Sequence, residues 1–401
     1  MAIDNKDKKV LKSSIEREQN EVACSAECEK IKGSKNLNVP HLRFPEFNGE
    51  WETKLINDLA VVIGGGTPDT TIKSYWDGEI QWFTPSEIGK NKYVDSSLRT
   101  ITEEGLNNSS AKLLPPNTIL LSSRATIGEC SLSLRECATN QGFQSLVSKK
   151  CYVDFLYYLI QTKKRDLIRK SCGSTFLEIS ANEVRKIQVS VPTDVEQQKI
   201  AGLLSLIDER IATQNKIIDK LQSLIKGIAQ NIVSNNKPNI RLSDCLDCSS
   251  STLQESDVCE TGIYPVYGAN GIVGYLDNYN TEGEAVYIIK DGSGVGTVSY
   301  ATGKCSATGT LNTLQAKDGY SLQYLYYILK VFNFEPYKTG MAIPHIYFKD
   351  YGKAKIFCPS YTEQLRYARL QSAIDSKLSV EKNILTSLSS QKQYLLRQMF
   401  I

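Results

Sequence analysis

An internal duplication constrains the fold of this 401-residue chain more than any other feature of its sequence. A shift of 167 positions aligns residues 173–233 with residues 340–400 without a gap. The aligned segments share a glycine, a proline and a Glu-Gln pair, namely Gly173 with Gly340, Pro192 with Pro359, and Glu196-Gln197 with Glu363-Gln364. Two unrelated amphipathic helices can match in their apolar positions, but they would not also share a glycine, a proline and a Glu-Gln pair at the same spacing. We therefore infer two copies of one structural unit.

Each copy is predicted to end in a long helix, because a proline and acidic residues precede an apolar heptad pattern. The pattern continues for about five heptads in the first copy and is weaker in the second, which is typical of a coiled-coil seam. A helix of about 38 residues is roughly 57 Å long. The predicted seam residues are Leu204, Ile207, Ile211, Gln214, Ile218, Leu221, Ile225, Ile374, Leu378, Glu381, Leu385 and Leu388.

Two of these seam positions are polar. Gln214 and Glu381 are equivalent in the two copies and lie near the middle of each predicted helix. If the helices pack antiparallel, the two side chains meet, and a buried polar layer would fix the register at some cost in stability. The alternative is that both side chains face solvent where the packing loosens.

The segments that precede the two long helices, at about 51–172 (lobe 1) and 240–339 (lobe 2), are rich in Gly, Ser, Thr, Asn and Tyr. Short alternating apolar runs predict strands, for example at 117–123, 131–134, 284–292 and 295–301. A helix is expected near 155–168, with a counterpart at 322–332.

The predicted fold class is α+β, with two mainly β lobes, two long antiparallel helices and an internal pseudo-two-fold duplication. The predicted segments are a polar, mobile extension at 1–37, a first recognition domain at 38–192, a first helix at 193–236, a second recognition domain at 237–359 and a second helix at 360–401.

The 11 cysteines are odd in number and scattered, which favours reduced thiols over a disulfide framework. Cys245 and Cys248 have the spacing of half a zinc site, and Cys24 and Cys28 are loosely similar. A tetrahedral zinc site needs four ligands, and the two histidines lie far apart in the sequence, so we predict no metal site. No apolar run is long enough to span a bilayer, and we expect a cytoplasmic protein.

Catalytic motifs were sought and not found. The sequence has no G-x-x-x-x-G-K-[ST] phosphate loop and no D/N-P-P-Y/F adenine-methylation motif. Glycines at 64–66 and 292–296 could cradle an anion, although turns and close strand packing are the simpler explanation. We therefore predict a protein that is not an enzyme, has no catalytic residues and binds no cofactor itself.

Several segments closely resemble the specificity subunits of type I restriction-modification systems. The matching segments are 40–59, 122–129, 138–146, 192–211, 262–279 and 290–298. No single segment is decisive, but their order and spacing extend the resemblance over about 40–401.

The resemblance implies two target recognition domains that each read one half of a split site on double-stranded DNA. It implies that the paired helices set the distance between the halves and dock two methyltransferase subunits, and that separate restriction and translocation subunits join the complex. S-adenosylmethionine, ATP and Mg are then expected on the partner subunits, with no membrane partner.

The residues suited to base edges and phosphates lie mainly in glycine-containing loops. The DNA-binding candidates are Arg124, Thr126, Thr139, Asn140, Gln141, Tyr267, Asn270, Lys290, Ser293, Thr308, Thr310 and Asn312. Each could instead make a turn or a hydrogen bond at a strand edge. Lobe 2 carries 6 basic and 11 acidic residues, so we expect weak DNA affinity for the chain alone and tight, salt-sensitive binding in a complex.

Two other functions remain open on the sequence. The main alternative is a non-catalytic scaffold in which a coiled coil carries two β lobes for protein partners. The second is a fused methyltransferase-specificity enzyme, which the missing motifs disfavour.

Overall fold

The computed structural model describes residues 38–173, 177–340 and 342–401. The predicted extension at 1–37, with Cys24 and Cys28, lies outside the described residues. The chain divides into two compact units. Unit 1 contains the chain up to Ala212 together with Leu388–Ile401, and unit 2 contains Thr213–Ser387.

Unit 1 contains lobe 1 and is built mainly from short strands. The strands are β1 (Glu52–Leu55), β2 (Ala60–Gly64), β3 (Trp76–Phe83), β4 (Tyr93–Val94), β5 (Arg99–Ile101), β6 (Ile119–Leu121), β7 (Cys130–Ser133), β8 (Cys137–Thr139), β9 (Gln144–Ser148) and β10 (Gln188–Val191). They form a five-stranded sheet in the order β2-β9-β6-β7-β4, a three-stranded sheet in the order β5-β3-β8, and the pair β1-β10. The helices that lie wholly in unit 1 are α1 (Ile56–Leu59), α2 (Glu103–Asn107), α3 (Val153–Thr162), α4 (Lys164–Arg169) and α5 (Ala181–Arg185).

Unit 2 repeats this plan in a smaller form. Its strands are β11 (Ile240–Arg241), β12 (Leu246–Ser250), β13 (Tyr264–Gly268), β14 (Gly271–Leu276), β15 (Glu284–Ile289), β16 (Val298–Thr302), β17 (Ser306–Ala307), β18 (Leu311–Ala316) and β19 (Lys355–Ile356). They form sheets in the orders β12-β18-β15-β16 and β14-β13-β17, and the pair β11-β19. Parallel pairing of β3 with β8 in unit 1 corresponds to parallel pairing of β13 with β17 in unit 2.

The two long helices are α6 (Asp194–Ser234) and α10 (Tyr361–Gln398), and each contributes to both units. The shorter helices of unit 2 are α7 (Leu242–Cys245), α8 (Leu322–Leu329) and α9 (Phe348–Tyr351). Short 3-10 helices occupy Lys73–Tyr75, Pro85–Glu87, Glu255–Asp257 and Glu335–Tyr337. At 41 residues, α6 is slightly longer than the heptad pattern predicts. No described helix is both long and apolar enough to cross a membrane.

The Glu-Gln pair of each copy has a structural role at the start of the long helix. The side chain of Gln197 donates to the carbonyl oxygen of Pro192 at 2.9 Å and accepts from the backbone N–H of Tyr152 at 2.9 Å. Gln364 makes the same two contacts with Pro359 and Ser321, both at 2.9 Å. Tyr152 and Ser321 directly precede α3 and α8, and the first N–H groups of a helix need partners. One glutamine therefore links the start of the long helix to the start of an earlier helix.

Each unit has its own hydrophobic core, and each long helix contributes one of its ends to each core. In unit 1, Phe155 stacks on Phe400 with ring centroids 5.2 Å apart, and Trp51 packs edge-on against Phe155 at 6.0 Å. The start of α6 and the end of α10 are buried in this core. In unit 2 the core instead includes Ile232 near the end of α6 and Ala368 near the start of α10. In each core, the start of one long helix packs with the end of the other, as expected for antiparallel helices.

The predicted short helix at 155–168 is interrupted. Lys163 has φ of −90° and ψ of 8°, so it ends α3 and precedes α4. Its counterpart α8 ends at Leu329, before the predicted limit of 332. The predicted strand segments contain β6 and β15 and overlap β7 and β16 apart from one residue at an end of each strand.

Candidate nucleic-acid interface

In lobe 1, the structure brings two predicted DNA-contacting segments together. The loop between β6 and β7 carries Arg124 and Thr126, and the loop after β8 carries Asn140 and Gln141. The backbone N–H of Ser123 donates to the carbonyl oxygen of Gly142 at 2.8 Å, which holds the two loops side by side. Thr126 and Gln141 are exposed, while Arg124 and Asn140 are half-buried.

The glycines at 64–66 serve close packing in the structure. A side chain at Gly65 would collide with the carbonyl oxygen of Asn140, and one at Gly66 with the backbone of Ala111. The space that an anion would need next to these two glycines is therefore filled by backbone. The side chain of Thr67 donates to Gln141, which ties this turn to the loop after β8.

In lobe 2, the corresponding candidates also lie close together. The backbone N–H of Lys290 donates to the carbonyl oxygen of Thr310 at 3.0 Å, and that of Thr308 donates to Tyr267 at 2.8 Å. Asn270 lies at the exposed turn between β13 and β14, and Ser293 is exposed in the loop after β15.

Three candidates are buried and already have partners within the protein. Thr139 lies in β8, Thr308 shares a 2.8 Å hydrogen bond with Thr310, and Asn312 lies in β18. The amide of Asn312 donates to the Tyr351 hydroxyl at 3.2 Å and accepts from the Ser250 hydroxyl at 3.0 Å. Because these side chains face the interior, we leave Thr139, Thr308 and Asn312 out of the candidate surface.

The structure adds three residues that the sequence interpretation missed, Glu178, Asp291 and His345. Glu178 forms an ion pair with Arg124, and His345 pairs with Asp291, which follows Lys290. The 167-residue shift aligns Glu178 with His345 and also aligns Arg124 with Asp291. The contacts show this equivalence, because the sequence similarity upstream of Gly173, between 154–160 and 323–329, has a different offset of 169 residues.

A basic helix lies beside the Arg124 loop of lobe 1. Residues 163–170, which include α4, contain five basic residues and one acidic residue. Lys164 and Ile168 on α4 and Ala125 and Thr126 on the loop line one cavity of about 540 Å³. The equivalent stretch of lobe 2 is aromatic, since Phe332 packs against Phe334 and Tyr337 at centroid distances of 4.8 and 5.9 Å. The two lobes therefore differ in charge at the same place.

The seam between α6 and α10 differs between the units. In unit 1, Asp208 accepts from the Tyr158 hydroxyl at 2.7 Å and forms an ion pair with Lys392 at 2.7 Å. In unit 2, Asp375 accepts from the equivalent Tyr327 hydroxyl at 2.8 Å. The 167-residue shift relates Lys392 to Ile225 of the first copy, so unit 2 has an isoleucine where unit 1 has this lysine.

The remaining predicted seam residues are buried or half-buried, in two groups. In unit 1 these residues are Leu204, Ile207, Ile211 and Leu388; in unit 2 they are Ile218, Leu221, Ile225, Ile374, Leu378 and Leu385.

Gln214 and Glu381 meet in unit 2. The Gln214 amide donates to the Glu381 carboxylate and, at 3.1 Å, to the Glu381 backbone carbonyl. Gln214 is 7% exposed and Glu381 is 8% exposed, so the two polar groups do not face solvent. Lys377 completes the layer with an ion pair to Glu381 at 2.7 Å.

The neighbours of Glu381 shift its ionisation. Hydrogen bonds from Lys377 and Gln214 stabilise the carboxylate and hold the pKa of Glu381 below its ordinary value of 4.5. A carboxyl whose pKa is lower in the folded state stabilises the fold above the unfolded pKa, and the effect is lost as pH falls through the folded pKa. The contribution of Glu381 is thus complete above about pH 4.5 and disappears below it.

Replacing both polar groups should raise the thermal stability of the chain. We expect the Gln214→Leu, Glu381→Leu double variant to melt at a higher temperature than the parent chain, because apolar side chains avoid the desolvation of a buried polar pair. Gln214→Leu alone should lower the melting temperature, because it leaves the carboxylate without its amide partner. Scanning calorimetry at pH 7 and pH 4 measures both; a single variant as stable as the double variant would contradict the role of the pair.

Cys245 is buried and Cys248 is half-buried, and the thiols of both are protonated at neutral pH. Burial raises the pKa of Cys245 to about 12 and that of Cys248 to about 11. The Cys245 thiol donates to the carbonyl oxygen of Leu242 at 3.3 Å. Since zinc binds the thiolate, this environment disfavours the half-site that the spacing suggested. Among the described residues, no three His, Cys, Asp or Glu side chains are grouped as metal ligands.

Comparison with known proteins places the chain among proteins of one kind. A family model described as the type I restriction modification DNA specificity domain matches residues 48–223 and again 238–390. The specificity subunit of the type I restriction enzyme MjaIX from Methanocaldococcus jannaschii is 39% identical over 180 residues, covering 43% of this chain and 42% of that protein. The EcoprrI specificity subunit from Escherichia coli is 26% identical over 348 residues, covering 78% of this chain and 84% of that protein.

Solved structures agree with this placement at the level of the fold. The crystal structure of the type I restriction-modification S subunit from M. genitalium matches with a TM-score of 0.61 and 19% identity, over 90% of this chain and 99% of that chain. The match to the MjaIX subunit spans less than half the length of that relative.

Proposed function

This chain belongs to the family of type I restriction modification DNA specificity proteins, and on that premise we propose that it is the DNA specificity subunit of a type I restriction-modification complex. The observation that carries the proposal is the double match of the specificity domain, once on each half of the chain. The chain then selects the DNA site, and its partner subunits perform the chemistry.

Each lobe reads one half of a bipartite site on double-stranded DNA. Duplicated loops with different side chains support this role, because Arg124 in lobe 1 is replaced by Asp291 at the same loop position of lobe 2. Base edges are distinguished by the direction of their hydrogen-bonding groups, so different side chains on one scaffold select different sequences.

The long helices set the distance between the half-sites and dock two methyltransferase subunits. The repeat alignment supports two identical partners, since Leu203 corresponds to Leu370 and Ile217 to Ile384. Leu370 is exposed on α10, where an apolar side chain favours a protein contact. Restriction and translocation subunits join the same complex in the cytoplasm, and S-adenosylmethionine, ATP and Mg are held by the partners.

Co-expression with a DNA adenine methyltransferase tests the proposal. In a host that lacks adenine methylation, we expect methylated adenines at one split, asymmetric sequence only when the chain is present. Sequencing that detects modified bases maps these sites across the genome. If the chain is instead a scaffold, it will bind its partners without changing which adenines are methylated; if it is a fused enzyme, it will methylate DNA alone.

A further inference from the structure

Each lobe holds a pair of polar side chains at the same place, with a cationic first member in lobe 1 and an anionic first member in lobe 2. In lobe 1, the Arg124 guanidinium lies 2.9 Å from the carboxylate of Glu178. In lobe 2, the Asp291 carboxylate lies 2.6 Å from Nδ1 of His345. The first residue of each pair follows a central strand, β6 or β15, and the second lies before the long helix of its copy.

The backbone shows that the two pairs are equivalent. The residue after each first member has a positive φ, 54° at Ala125 and 90° at Gly292. The backbone N–H of Ile179 donates to Ser123 at 3.1 Å, and Ile346 donates to Lys290 at 2.9 Å in the same arrangement. These residues all align under the 167-residue shift.

Lobe 1 adopts this loop geometry at a cost. Alanine rarely has a positive φ, whereas glycine adopts it freely, so Ala125 is strained where Gly292 is not. A strained backbone is kept where the surrounding structure fixes it, often at a functional site. The geometry therefore fixes the position of the side chain that precedes it, Arg124 or Asp291.

All four side chains can be reached from solvent. Arg124 is 43% exposed and Glu178 37%, while Asp291 is 38% exposed and His345 36%. This separates them from Thr139, Thr308 and Asn312, which are buried. Each pair holds its two side chains in a fixed orientation and leaves part of each free for a ligand.

The chemistry of the two positions matches opposite members of a G·C base pair. In the major groove, guanine presents two acceptors, N7 and O6, and an arginine can donate to both. Cytosine presents an amino donor at N4, and aspartate or glutamate accepts from it. Arg124 is a donor where Asp291 is an acceptor, so the same loop position suits guanine in lobe 1 and cytosine in lobe 2.

We propose that residues 124 and 291 are equivalent base-reading positions, with Arg124 reading a guanine in one half-site and Asp291 reading a cytosine in the other. Glu178 and His345 are positioning residues, because Glu178 holds Arg124 through an ion pair and His345 holds Asp291 through a hydrogen bond. The proposal rests on the proposed function and adds the base that each lobe recognises.

Methylation mapping of four chains tests the proposal. The full chain, Arg124→Gln, Asp291→Asn and the control Glu282→Gln are each co-expressed with the partner methyltransferase. Glu282 is an exposed carboxylate of lobe 2 that forms an ion pair with Lys304, so its variant controls for loss of charge. Asp291→Asn keeps the size of the side chain and a hydrogen bond to His345, but its amide pairs with adenine better than with cytosine.

For Asp291→Asn we expect the preference for cytosine at one position of the lobe 2 half-site to fall about 10- to 100-fold, with the other half-site unchanged. Arg124→Gln should weaken the preference for guanine at one position of the other half-site only. Glu282→Gln should leave the base preferences of both half-sites unchanged. If Asp291→Asn keeps the full cytosine preference, or relaxes both half-sites equally, the pair is a structural clamp and the inference is wrong. If the parent chain directs methylation to no split site, the proposed function itself fails.

Discussion

Asp208→Ala is expected to destabilise unit 1 by about 3–5 kcal/mol, because it removes one partner of a buried ion pair. The Asp208 and Lys392 side chains are 14% and 15% exposed, so the lysine ammonium would stay largely out of solvent without its counter-charge. The Tyr158 hydroxyl would also lose its acceptor. The change can be measured as the free energy of unfolding in urea.

The duplicated chain supplies a matched control for this experiment. Asp375→Ala removes the equivalent hydrogen bond to Tyr327, but unit 2 has Ile225 at the position that corresponds to Lys392. We expect a loss of about 1–2 kcal/mol, which is the cost of leaving one hydroxyl without a partner. Equal losses for the two variants would show that the ion pair does not carry the difference. An Asp208→Leu, Lys392→Met double variant should recover most of the stability, because it leaves no unpaired charge.

The second large effect is expected on DNA binding through the basic helix of lobe 1. For an Arg165→Gln, Arg169→Gln variant in the assembled complex, we expect affinity to fall about 10- to 100-fold at physiological salt. Each phosphate contact releases about one counterion when DNA binds, and the variant lacks two such contacts. The slope of log affinity against log salt concentration should therefore become less steep by about 2. Fluorescence anisotropy titrations at several salt concentrations measure both quantities.

The corresponding segment of lobe 2 provides the comparison for this prediction. Lys338 and Arg169 are both paired with an acidic residue, but Lys338 is 28% exposed against 77% for Arg169, and its neighbours are aromatic. A Lys330→Gln, Lys338→Gln variant should therefore change the affinity and the salt slope much less. If both variants flatten the slope equally, or neither does, α4 is not the phosphate-contacting element. Specificity should be unaffected by either variant, since phosphate contacts do not distinguish sequences.

Several sequence predictions depend on local signals and agree with the structure. The fold class and the duplication follow from the 167-residue alignment, and the long helices from the heptad pattern. The start of each helix is fixed by a glutamine that bonds to a proline carbonyl oxygen five residues earlier. These features depend on residues close in sequence or on exact repetition, which is why one sequence is enough to find them.

The polar layer of Gln214 and Glu381 could be predicted from the sequence only in part. The repeat made Gln214 and Glu381 equivalent, and an antiparallel arrangement would bring equivalent midpoints together. The sequence left open whether these side chains are buried or solvated. The structure places them in contact at 7% and 8% exposure, because the apolar seam residues on either side exclude solvent from the layer.

The repeat and the heptad pattern are therefore sufficient to predict the architecture, with two copies, two lobes and two long helices. They do not show which polar residues of the lobes are available to a ligand, because that depends on the folded arrangement of the sheets. Asn312 and Gln141 are both amides in promising segments, yet Asn312 faces the core and Gln141 faces solvent. The partners of Arg124 and Asp291 lie 54 residues further along the chain, as the Asp291–His345 bond shows. Burial and long-range pairing depend on how the sheets pack together, and a local pattern contains no information about that packing.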